Sequence, residues 1–496
     1  MSEKRRDGVW TEAARNDEVA CGLPEEDAVI GAAPERIKDM TVTEAVIGLD
    51  LGTTTTKALL RDLDGRQLAL VATPTPWTTT SGGGTETTAA ALLDLVVRTL
   101  NSALQQAEAD AGAVWVRGIG VTGFAESGVL LDSESRPCSP VIAWFDRRGE
   151  EQIARVEQRH PGFAGEFVRR TGLRWNGQAS LAKLLWFADQ GLIATPGHRW
   201  LSIPEYIVHR LGGDQVSEPS LASRTGLLDQ ATGRTWLAGA STLGLPTTLL
   251  PGIVEAGSPA GTLRFAGLPG QLHGATLTVA GHDHPVAAIG AGTTGADELF
   301  NSTGTADVIA RSLPGKLTDD QRQELVHHGI SSGSHILPDT SLLLGGVRGG
   351  LLLRRMLALL CGGDGAARDR LDAAALDVEV LPAGLRVCAG PTGDVELHFR
   401  DDAEPAAVWA AATRYTAAET GRLLDTLHQV VRPHRRAVAS GGWTRMASVR
   451  RAKAIAIDHL EFSDVAEPGV AGAAMLALQA IQPHSTSAIK TPVTAR

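Results

Sequence analysis

The sequence predicts an α/β fold made of two halves, each of which begins with a strand–turn–strand hairpin. Short apolar runs alternate with amphipathic segments of helical spacing, which is typical of α/β proteins. Gly and Thr recur at a turn in both halves, at Asp50-Leu51-Gly52-Thr53 and at Asn301-Ser302-Thr303-Gly304-Thr305. At 496 residues the chain is too long for one ordinary core, so two domains are expected.

The composition is that of a globular protein, with 43% hydrophobic and 21% charged residues. The net charge of −10 argues against a nucleic-acid partner, which would require a basic stripe. The four cysteines lack metal-ligand spacing and no apolar run reaches 18 residues, so we expect a reduced, cytoplasmic protein with no membrane segment. Residues 1–44 and 483–496 are predicted to be a disordered and a flexible tail.

The first half opens with a predicted meander of three strands. The apolar run Ala45–Leu49 is a buried strand, a second strand lies near Lys57–Leu60, and Asp64-Gly65 marks the turn into a third. Apolar residues between Leu93 and Leu104 then recur at helical spacing. Val114–Val121 is strand-like, and helix and strand continue to alternate as far as Ala280.

The second half begins after a boundary that we place near residues 285–297. A new strand–turn–strand covers Glu298–Ala310. Beyond it, helices are expected to dominate, over Gly349–Leu360, Pro405–Val431 and Pro468–Ile481.

Three glycine patterns are weak indicators of function. Gly118-x-Gly120-x-x-Gly123 and Gly290-x-Gly292-x-x-Gly295 match the dinucleotide fingerprint, but the first leads into a strand where a helix is required. Gly329-x-Ser331-x-Gly333 matches the nucleophile elbow of serine hydrolases, but no helix is predicted after it. A polar Ser/Gly loop is the better interpretation of this last segment.

The triplet His282-Asp283-His284 has three possible interpretations. Two imidazoles at i and i+2 can bind a metal, but no third or fourth ligand is evident nearby. A carboxylate at the end of a strand in an α/β fold faces the ligand crevice, which favours Asp283 as a general base. Asp283 could equally cap the next helix, since Pro285 suits a first helical position.

The first Gly/Thr turn has the chemistry of a phosphate site. Its N–H groups and hydroxyls suit phosphate oxygens, and Gly52 allows the backbone to approach closely. Asp50 can hold a hydrated Mg²⁺, and Lys57 adds a cation. A plain hairpin turn is the alternative.

Taken together, the motifs resemble those of the FGGY carbohydrate kinases from about Val46 to Ile481. The matching segments follow the family's order along the chain: Asp50–Thr54 with Lys57, Gly118–Gly123, Trp144-Phe145-Asp146-Arg147-Arg148, Thr171-Gly172 with Lys183–Trp186, Ser220–Leu227, Gly281-x-Asp283, Ser302-x-Gly304-Thr305, Gly441-Gly442 and Gly472-Ala473-Ala474.

This resemblance implies the duplicated ribonuclease H-like fold of the actin-like ATPases, with a cleft between an N-terminal sugar-binding domain (45–287) and a C-terminal ATP-binding domain (288–482). It also implies a role for particular residues. Asp283 would be the catalytic base, Asp50 would hold Mg²⁺ through water, and two turns would bind the phosphates of ATP. The phosphate-binding residues so implied are Gly52, Thr53, Thr54, Lys57, Gly304 and Thr305.

Several positions depart from the patterns of familiar family members. Phe124-Ala125-Glu126-Ser127 stands where xylulose-specific members have Gln-Met-His and glycerol kinases have Arg-Glu. We expect Phe124 and Glu126 to contact the substrate, although Glu126 could be an exposed surface residue. His284 replaces the usual Asn or Gln after the base and is also expected to contact the substrate.

Two further substrate contacts are less specific. Trp144 is either an apolar wall for the sugar or a core residue, and Asp146 either contacts substrate or caps a helix that starts at Arg147. On the adenosine side, Trp443-Thr444-Arg445-Met446 replaces a small polar run. The adenosine contacts suggested by the resemblance are Gly349, Gly350, Arg354, Gly441 and Gly442.

The sequence therefore predicts a carbohydrate kinase that uses Mg-ATP and a small polyhydroxy substrate, which could be a ketose such as a pentulose, a polyol or a cyclitol. A non-catalytic, nucleotide-gated sugar-binding protein of the same fold is the alternative. A homodimer is possible, as in the family.

Overall fold

Strands and helices alternate from Thr43 to Ile481 in a computed structural model that describes residues 42–193, 197–304, 306–389 and 394–482. Of the two predicted tails, only residues 42–44 fall within this range. The strands, in chain order, are β1 (Thr43–Leu51), β2 (Thr55–Asp62), β3 (Gln67–Pro74), β4 (Thr78–Thr79), β5 (Thr85–Thr87), β6 (Val114–Gly123), β7 (Gly128–Leu131), β8 (Val141–Ile142), β9 (Arg199–Ser202), β10 (Val216–Ser217), β11 (Leu228–Asp229), β12 (Arg234–Thr235), β13 (Gly252–Ile253), β14 (Thr276–His282), β15 (Glu298–Thr303), β16 (Asp307–Pro314), β17 (Ser331–Ser334), β18 (Thr340–Val347), β19 (Arg386–Ala389), β20 (Val395–His398), β21 (Arg436–Ser440) and β22 (Leu460–Phe462).

The α-helices are α1 (Ala89–Ala111), α2 (Glu150–Arg159), α3 (Phe163–Thr171), α4 (Ser180–Asp189), α5 (Ile203–Arg210), α6 (Pro219–Ala222), α7 (Leu237–Thr242), α8 (Asp283–Gly290), α9 (Asp319–His327), α10 (Gly349–Cys361), α11 (Gly365–Leu376), α12 (Pro405–Val430), α13 (Ala447–Ala456) and α14 (Pro468–Ile481). None of the helices in the described ranges combines the length and the hydropathy needed to span a membrane.

Two sheets share one topology. The first has the strand order β14-β6-β1-β2-β3, and the second has the order β17-β18-β16-β15-β21-β22. In the first, β1, β2 and β3 form an antiparallel meander, while β6 and β14 run parallel to β1. In the second, β15, β16 and β18 form the meander, while β21 and β22 continue parallel to β15. This repetition is what a duplicated fold requires.

The predicted hairpins are confirmed, and so are the three helices expected beyond the second one, at α10, α12 and α14, although strands lie among them. Four strands beyond the second hairpin, β17, β18, β21 and β22, complete a six-stranded sheet. The segment interpreted as a polar loop around Ser331 is the edge strand β17, which pairs with β18. Its residues Ser331-Ser332-Gly333-Ser334 carry no apolar side chain, so the strand lacks the hydrophobic pattern from which it could be predicted.

Two helices each pack against a sheet distant from them in sequence. Helix α8 follows β14 of the first sheet, yet its Ala288 packs with Phe300 and Val438 of the second. Helix α14 comes last, after the second sheet, yet its Val470 packs with Val46 and other residues of the first. Helix α14 lies in the segment predicted as the C-terminal domain, and the boundary between the two domains stays a prediction.

Glycines allow α14 to approach α8 and the first sheet at backbone distance. A Cβ placed on Gly290 would lie 1.9 Å from the carbonyl oxygen of Pro468, and one on Gly472 would lie 2.1 Å from that of Val286. On the sheet, a Cβ on Gly48 would lie 2.0 Å from the carbonyl oxygen of Val470. Because the obstructing atoms belong to the backbone, they cannot move aside as a side chain could.

We expect Gly472→Ala to lower the free energy of unfolding by about 1–3 kcal/mol, the usual cost of overpacking. The matched control is Gly365→Ala, in the first turn of α11, where no atom lies within 4 Å of the new Cβ. Because alanine has a higher helix propensity than glycine, this control should be neutral or stabilising. Urea unfolding of both variants measures the difference. Equal stability of Gly472→Ala and wild type would contradict the close packing.

Candidate active site

A cavity of about 350 Å³ lies where the two sheets face each other. Strands β1 and β14 both run parallel to β6, so their carboxyl ends meet at one edge of the first sheet and place Asp50 close to Asp283. The cavity brings together six residues singled out in the sequence: Asp50, Lys57, Asp283, His284, Gly441 and Gly442. Nine others line it as well: Ala287, Phe300, Ser302, Ser440, Arg445, Ala466, Glu467, Pro468 and Gly469.

Asp283 is the first residue of α8, and its side chain is 29% exposed. His282 occupies the N-cap position, so the interpretation of Asp283 as a helix cap is wrong. Burial acts to raise the pKa of Asp283, but the neighbouring charges of His284 and His282 and the hydrogen bonds from them lower it to about 2. The carboxylate is therefore ionised at neutral pH and able to accept a proton.

The three side chains of His282, Asp283 and His284 place ligand atoms within 4.8 Å of one another. Among the residues that the structure describes, no fourth His, Cys, Asp or Glu joins this group. His282 Nε2 lies 3.1 Å from Asp283 Oδ1, so an imidazole contacts the carboxylate directly.

Asp50 faces Asp283 across the cavity with an unsatisfied oxygen. Burial, followed by the negative charge of Asp283, raises its pKa to about 7, while Lys57 acts to lower it. Asp50 Oδ1 is buried and has no hydrogen-bond partner among the described residues. A Cβ on Gly469 would lie 2.4 Å from Oδ2, so glycine is needed where α14 begins. A buried carboxylate oxygen without a partner fits a hard cation such as Mg²⁺.

Lys57 lies at the cavity but is already paired. Its Nζ donates to Glu467 Oε2 at 2.5 Å, and both side chains are about one-third exposed, at 27% and 34%. Glu467 is the N-cap residue of α14. Any phosphate reached by Lys57 would therefore share the ammonium group with this carboxylate.

The first Gly/Thr turn lies beside the cavity rather than in its lining. The carbonyl oxygens of Gly52 and Thr53 accept hydrogen bonds from Thr75 Oγ1, at 2.8 Å, and Trp77 Nε1, at 2.6 Å. Thr54 is exposed. The turn is thus braced from the segment that follows β3, with Thr54 facing solvent.

The second turn contributes Ser302 to the cavity, and Thr305 lies outside the described residues. The Gly304 carbonyl accepts a hydrogen bond of 3.0 Å from Trp443 Nε1. Gly441 has φ +127°, and a Cβ on it would lie 2.5 Å from the Thr303 carbonyl oxygen. Trp443, noted above as a departure from the family, therefore braces this turn instead of lining the cavity.

The remaining residues proposed for adenosine are at the start of α10. Gly349 and Gly350 are buried, and Gly349 packs against Asp307, which begins the strand after the second turn. Arg354 is exposed on the same helix. None of the three lines the cavity.

Glu126 is 6% exposed, so the alternative of a surface glutamate is wrong. Its φ of +63° is strained for a residue other than glycine. Arg224 donates from Nε to Glu126 Oε1 at 2.7 Å, and its terminal nitrogen lies 2.6 Å from the same oxygen. No described residue donates to Oε2. The charges of both residues act on the pKa of His284, so the pair lies within electrostatic range of a residue that lines the cavity.

Aromatic side chains surround the neighbouring surface. Phe124 is buried and packs against Trp77, with ring centroids 5.8 Å apart. Trp144 is half-buried and donates from Nε1 to Thr53 Oγ1 at 3.0 Å. Phe145, 47% exposed, meets Trp144 edge-on. Trp144 thus contacts the first turn and is only partly in the core.

Asp146 has a buried side chain whose hydrogen bonds lie within the protein. It accepts from the backbone N–H of Thr85 at 2.6 Å and from the backbone and guanidinium of Arg148 at 2.8 to 3.0 Å. Helix α2 begins at Glu150, with Gly149 as its N-cap, so the interpretation of Asp146 as the cap of a helix starting at Arg147 is wrong. Asp146 instead fixes the loop before α2.

Two site residues, Arg224 and Glu467, were missed in the sequence for lack of a local signal. Arg224 belongs to a segment quoted for its resemblance, but nothing nearby indicates that it pairs with Glu126. Glu467 resembles any acidic residue before a helix. Ser331, singled out as a possible nucleophile, accepts a hydrogen bond of 3.0 Å from Arg224 on an edge strand, where a nucleophile elbow cannot form.

Several solved structures of known proteins have a similar fold. The fold resembles that of a xyloylose kinase from Brucella ovis, with a TM-score of 0.78, 23% identity and coverage of 91% of this chain and 94% of that one. It also resembles a Plasmodium falciparum glycerol kinase solved with ADP, with a TM-score of 0.77, 18% identity and coverage of 88% and 89%. The predicted α/β fold of the actin-like ATPases is thereby confirmed.

Among curated sequences, an L-fuculokinase from Escherichia coli is 27% identical over 54% of this chain and 56% of its own length. A xylulose kinase from Streptomyces coelicolor is 29% identical over 54% and 55%. The chain thus spans about half the length of the curated relatives it matches. The model for the N-terminal domain of the FGGY family of carbohydrate kinases matches residues 45–290, and this part of the chain belongs to that family.

Proposed function

We propose that the chain transfers the γ-phosphate of ATP to a hydroxyl of a small polyhydroxy compound, such as a ketose, a polyol or a cyclitol. The observation that carries the proposal is the cavity, in which an ionised Asp283 from the first sheet faces Ser302, Ser440 and the glycines after β21 from the second. A base on one side and a glycine-rich, hydroxyl-lined wall on the other suit phosphoryl transfer, where positioning and charge neutralisation supply most of the rate.

In the proposed reaction, the acceptor oxygen bonds to the γ-phosphorus as the bond from that phosphorus to the bridging oxygen of ADP breaks. The hydroxyl proton passes to Asp283. The N-termini of α8 and α14 open at the cavity and present their dipoles to the anionic phosphates. Asp50 would hold Mg²⁺ through water, and that ion neutralises phosphate charge when bound.

The substrate side is proposed to lie around Glu126, Phe124 and Trp144. Arg224 occupies one oxygen of Glu126 and leaves Oε2 without a partner among the described residues, so this oxygen is able to accept a hydrogen bond from a hydroxyl. His284, which lines the cavity within electrostatic range of this pair, would contact the same substrate. Asp146 has its hydrogen bonds satisfied within the protein and is proposed to support the site rather than touch the substrate.

We expect Asp283→Asn to reduce kcat by about 100-fold or more, because the amide cannot accept the proton. The measurement is coupled ADP release over a panel of ketopentoses, ketohexoses, polyols and cyclitols. Asp369→Asn, at a side chain 71% exposed on α11, is the matched control and should keep wild-type activity. Retained activity in Asp283→Asn would refute the assignment of the base. A wild-type protein that binds nucleotide but never releases ADP would support the non-catalytic alternative.

For Asp50→Asn we expect a higher Mg²⁺ concentration at half-maximal rate, since a neutral amide holds a hydrated cation less well than a carboxylate does. The rate is measured against Mg²⁺ at fixed ATP, again with Asp369→Asn as the control. An unchanged Mg²⁺ requirement would exclude Asp50 from the cation site.

The variant Glu126→Gln should raise KM for the polyhydroxy substrate about tenfold while KM for ATP changes little, because hydrogen bonds to a charged group are worth about 1.5–3 kcal/mol. Glu134→Gln, at a side chain 66% exposed, serves as the control. Equal changes in both KM values would indicate that Glu126 acts on the structure of the whole site.

A further inference from the structure

Asp283 is backed by a chain of buried polar groups, none of which lines the cavity. His282 Nε2 lies 3.1 Å from Asp283 Oδ1, and the His282 side chain is 5% exposed. The backbone N–H of His282 donates to Ser220 Oγ at 2.9 Å, and Ser220 Oγ donates to Glu218 Oε2 at 2.5 Å. Glu218 and Ser220 are completely buried. A continuous path of contacts thus runs from Asp283 to Glu218.

The backbone at the end of β14 is shaped for this contact. Gly281 has φ +115°, and a Cβ on it would lie 2.9 Å from Ser220 Oγ and 3.1 Å from Glu218 Oε2. Its carbonyl accepts a hydrogen bond of 2.7 Å from Thr122 Oγ1 on β6. The turn that presents His282 and Asp283 is therefore fixed from two sides, by β6 and by the segment that begins α6.

Three buried atoms along this path lack a hydrogen-bond partner among the described residues: His282 Nδ1, Glu218 Oε1 and Asp283 Oδ1, which His282 Nε2 approaches to 3.1 Å. A neutral imidazole donates from one nitrogen and accepts at the other. If Nε2 carries the proton and faces Asp283, Nδ1 is an acceptor and requires a donor. A protonated Glu218 carboxyl, or a water molecule between His282 Nδ1 and Glu218 Oε1, supplies one.

The titratable groups around His282 are consistent with a donor next to its Nδ1 atom. Burial raises the pKa of Glu218 to about 7, so part of the protein carries a proton there at neutral pH. Glu205, packed behind it, accepts hydrogen bonds from the backbone N–H groups of Ser202 and Glu218, and burial raises its pKa to about 8. The other titratable groups at the ring are Asp283 and His284, whose ring centroid lies 5.4 Å from that of His282.

We propose that His282, through the N–H at Nε2, is the positioning residue that holds the Asp283 carboxylate in place, and that Glu218 and Ser220 hold His282 from behind. The catalytic meaning of this arrangement rests on the proposed function. An imidazole N–H donor orients the carboxylate and favours its ionised form, in which it accepts the proton of the substrate hydroxyl.

The first test compares two amides at position 282. The side-chain nitrogen of glutamine reaches about as far as Nε2, whereas that of asparagine reaches only as far as Nδ1. We expect His282→Gln to keep kcat within about tenfold of wild type and His282→Asn to lose about 100-fold, the usual effect of misplacing a catalytic group by 1 Å. KM for ATP should not change in either variant. The measurement is ADP release, with thermal unfolding as a check on folding.

The matched controls are His327→Gln and His327→Asn, at an exposed histidine of α9, and both should equal wild type. Wild-type kcat in His282→Asn would overturn the proposal. An equal loss of kcat in His282→Gln and His282→Asn, with both variants unfolding at the wild-type temperature, would also overturn it. The position of the side-chain N–H donor would then have no effect on the rate.

The second test requires no substrate. In protein labelled with ¹⁵N-histidine, the resonances that disappear in His282→Gln should be those of a ring that carries a proton on Nε2 at pH 7.5. A ring protonated at Nδ1 alone would overturn the proposal, because it has no donor at Nε2. If the wild type phosphorylates nothing in the panel and yet shows the proton on Nε2, the proposed function fails while the contact between His282 and Asp283 stands.

Discussion

The crossing of α8 and α14 is the constraint on which the cavity depends. The two helices meet backbone to backbone at Gly290 and Gly472, and α14 lies on the first sheet at Gly48 with no side chain between them. Each helix begins at the cavity, α8 with Asp283 and α14 with Pro468. A shift of either helix along the other would therefore move Asp283 or Glu467 relative to Asp50. Close-packed backbone is poorly compressible, so the crossing fixes the relative positions of the Asp50, Asp283 and Glu467 carboxylates.

Those carboxylates have different environments, and the difference assigns their chemistry. The imidazoles next to Asp283 lower its pKa, whereas burial and the charge of Asp283 raise that of Asp50. Two carboxyl groups whose pKa values are separated in this way commonly take different roles in a site. Asp283 is ionised and available to accept a proton. The negative charge of Asp50 is only partly balanced, because Lys57 is also paired with Glu467. A bound cation would balance it.

Local sequence patterns predicted the elements of the fold better than its contacts. The apolar strand before Asp50, the second hairpin and the long helices α12 and α14 follow from hydrophobic pattern and turn residues, because those signals are confined to a few neighbouring positions. Strand β17 has no such pattern and depends on pairing with β18. The Glu126–Arg224 pair joins residues 98 positions apart and the Lys57–Glu467 pair joins residues 410 apart, so only the folded chain shows them. The prediction that Asp146 caps a helix is wrong because α2 begins three residues later than expected, after Gly149 in the left-handed backbone conformation.

The arrangement around Glu126 bears on how one substrate could be distinguished from another. An apolar wall such as Trp144 separates compounds that differ by a methylene only weakly, by about 1–3 kcal/mol. A buried polar group that requires a hydroxyl discriminates far more, because a substrate lacking that hydroxyl leaves it unpaired. Glu126 has one oxygen held by Arg224 and the other without a donor in the described part of the chain, and its backbone is strained at φ +63°. In the proposed site, the pattern of hydroxyls would therefore decide the substrate more than its size does, and a carboxylate on the substrate near Glu126 would be repelled.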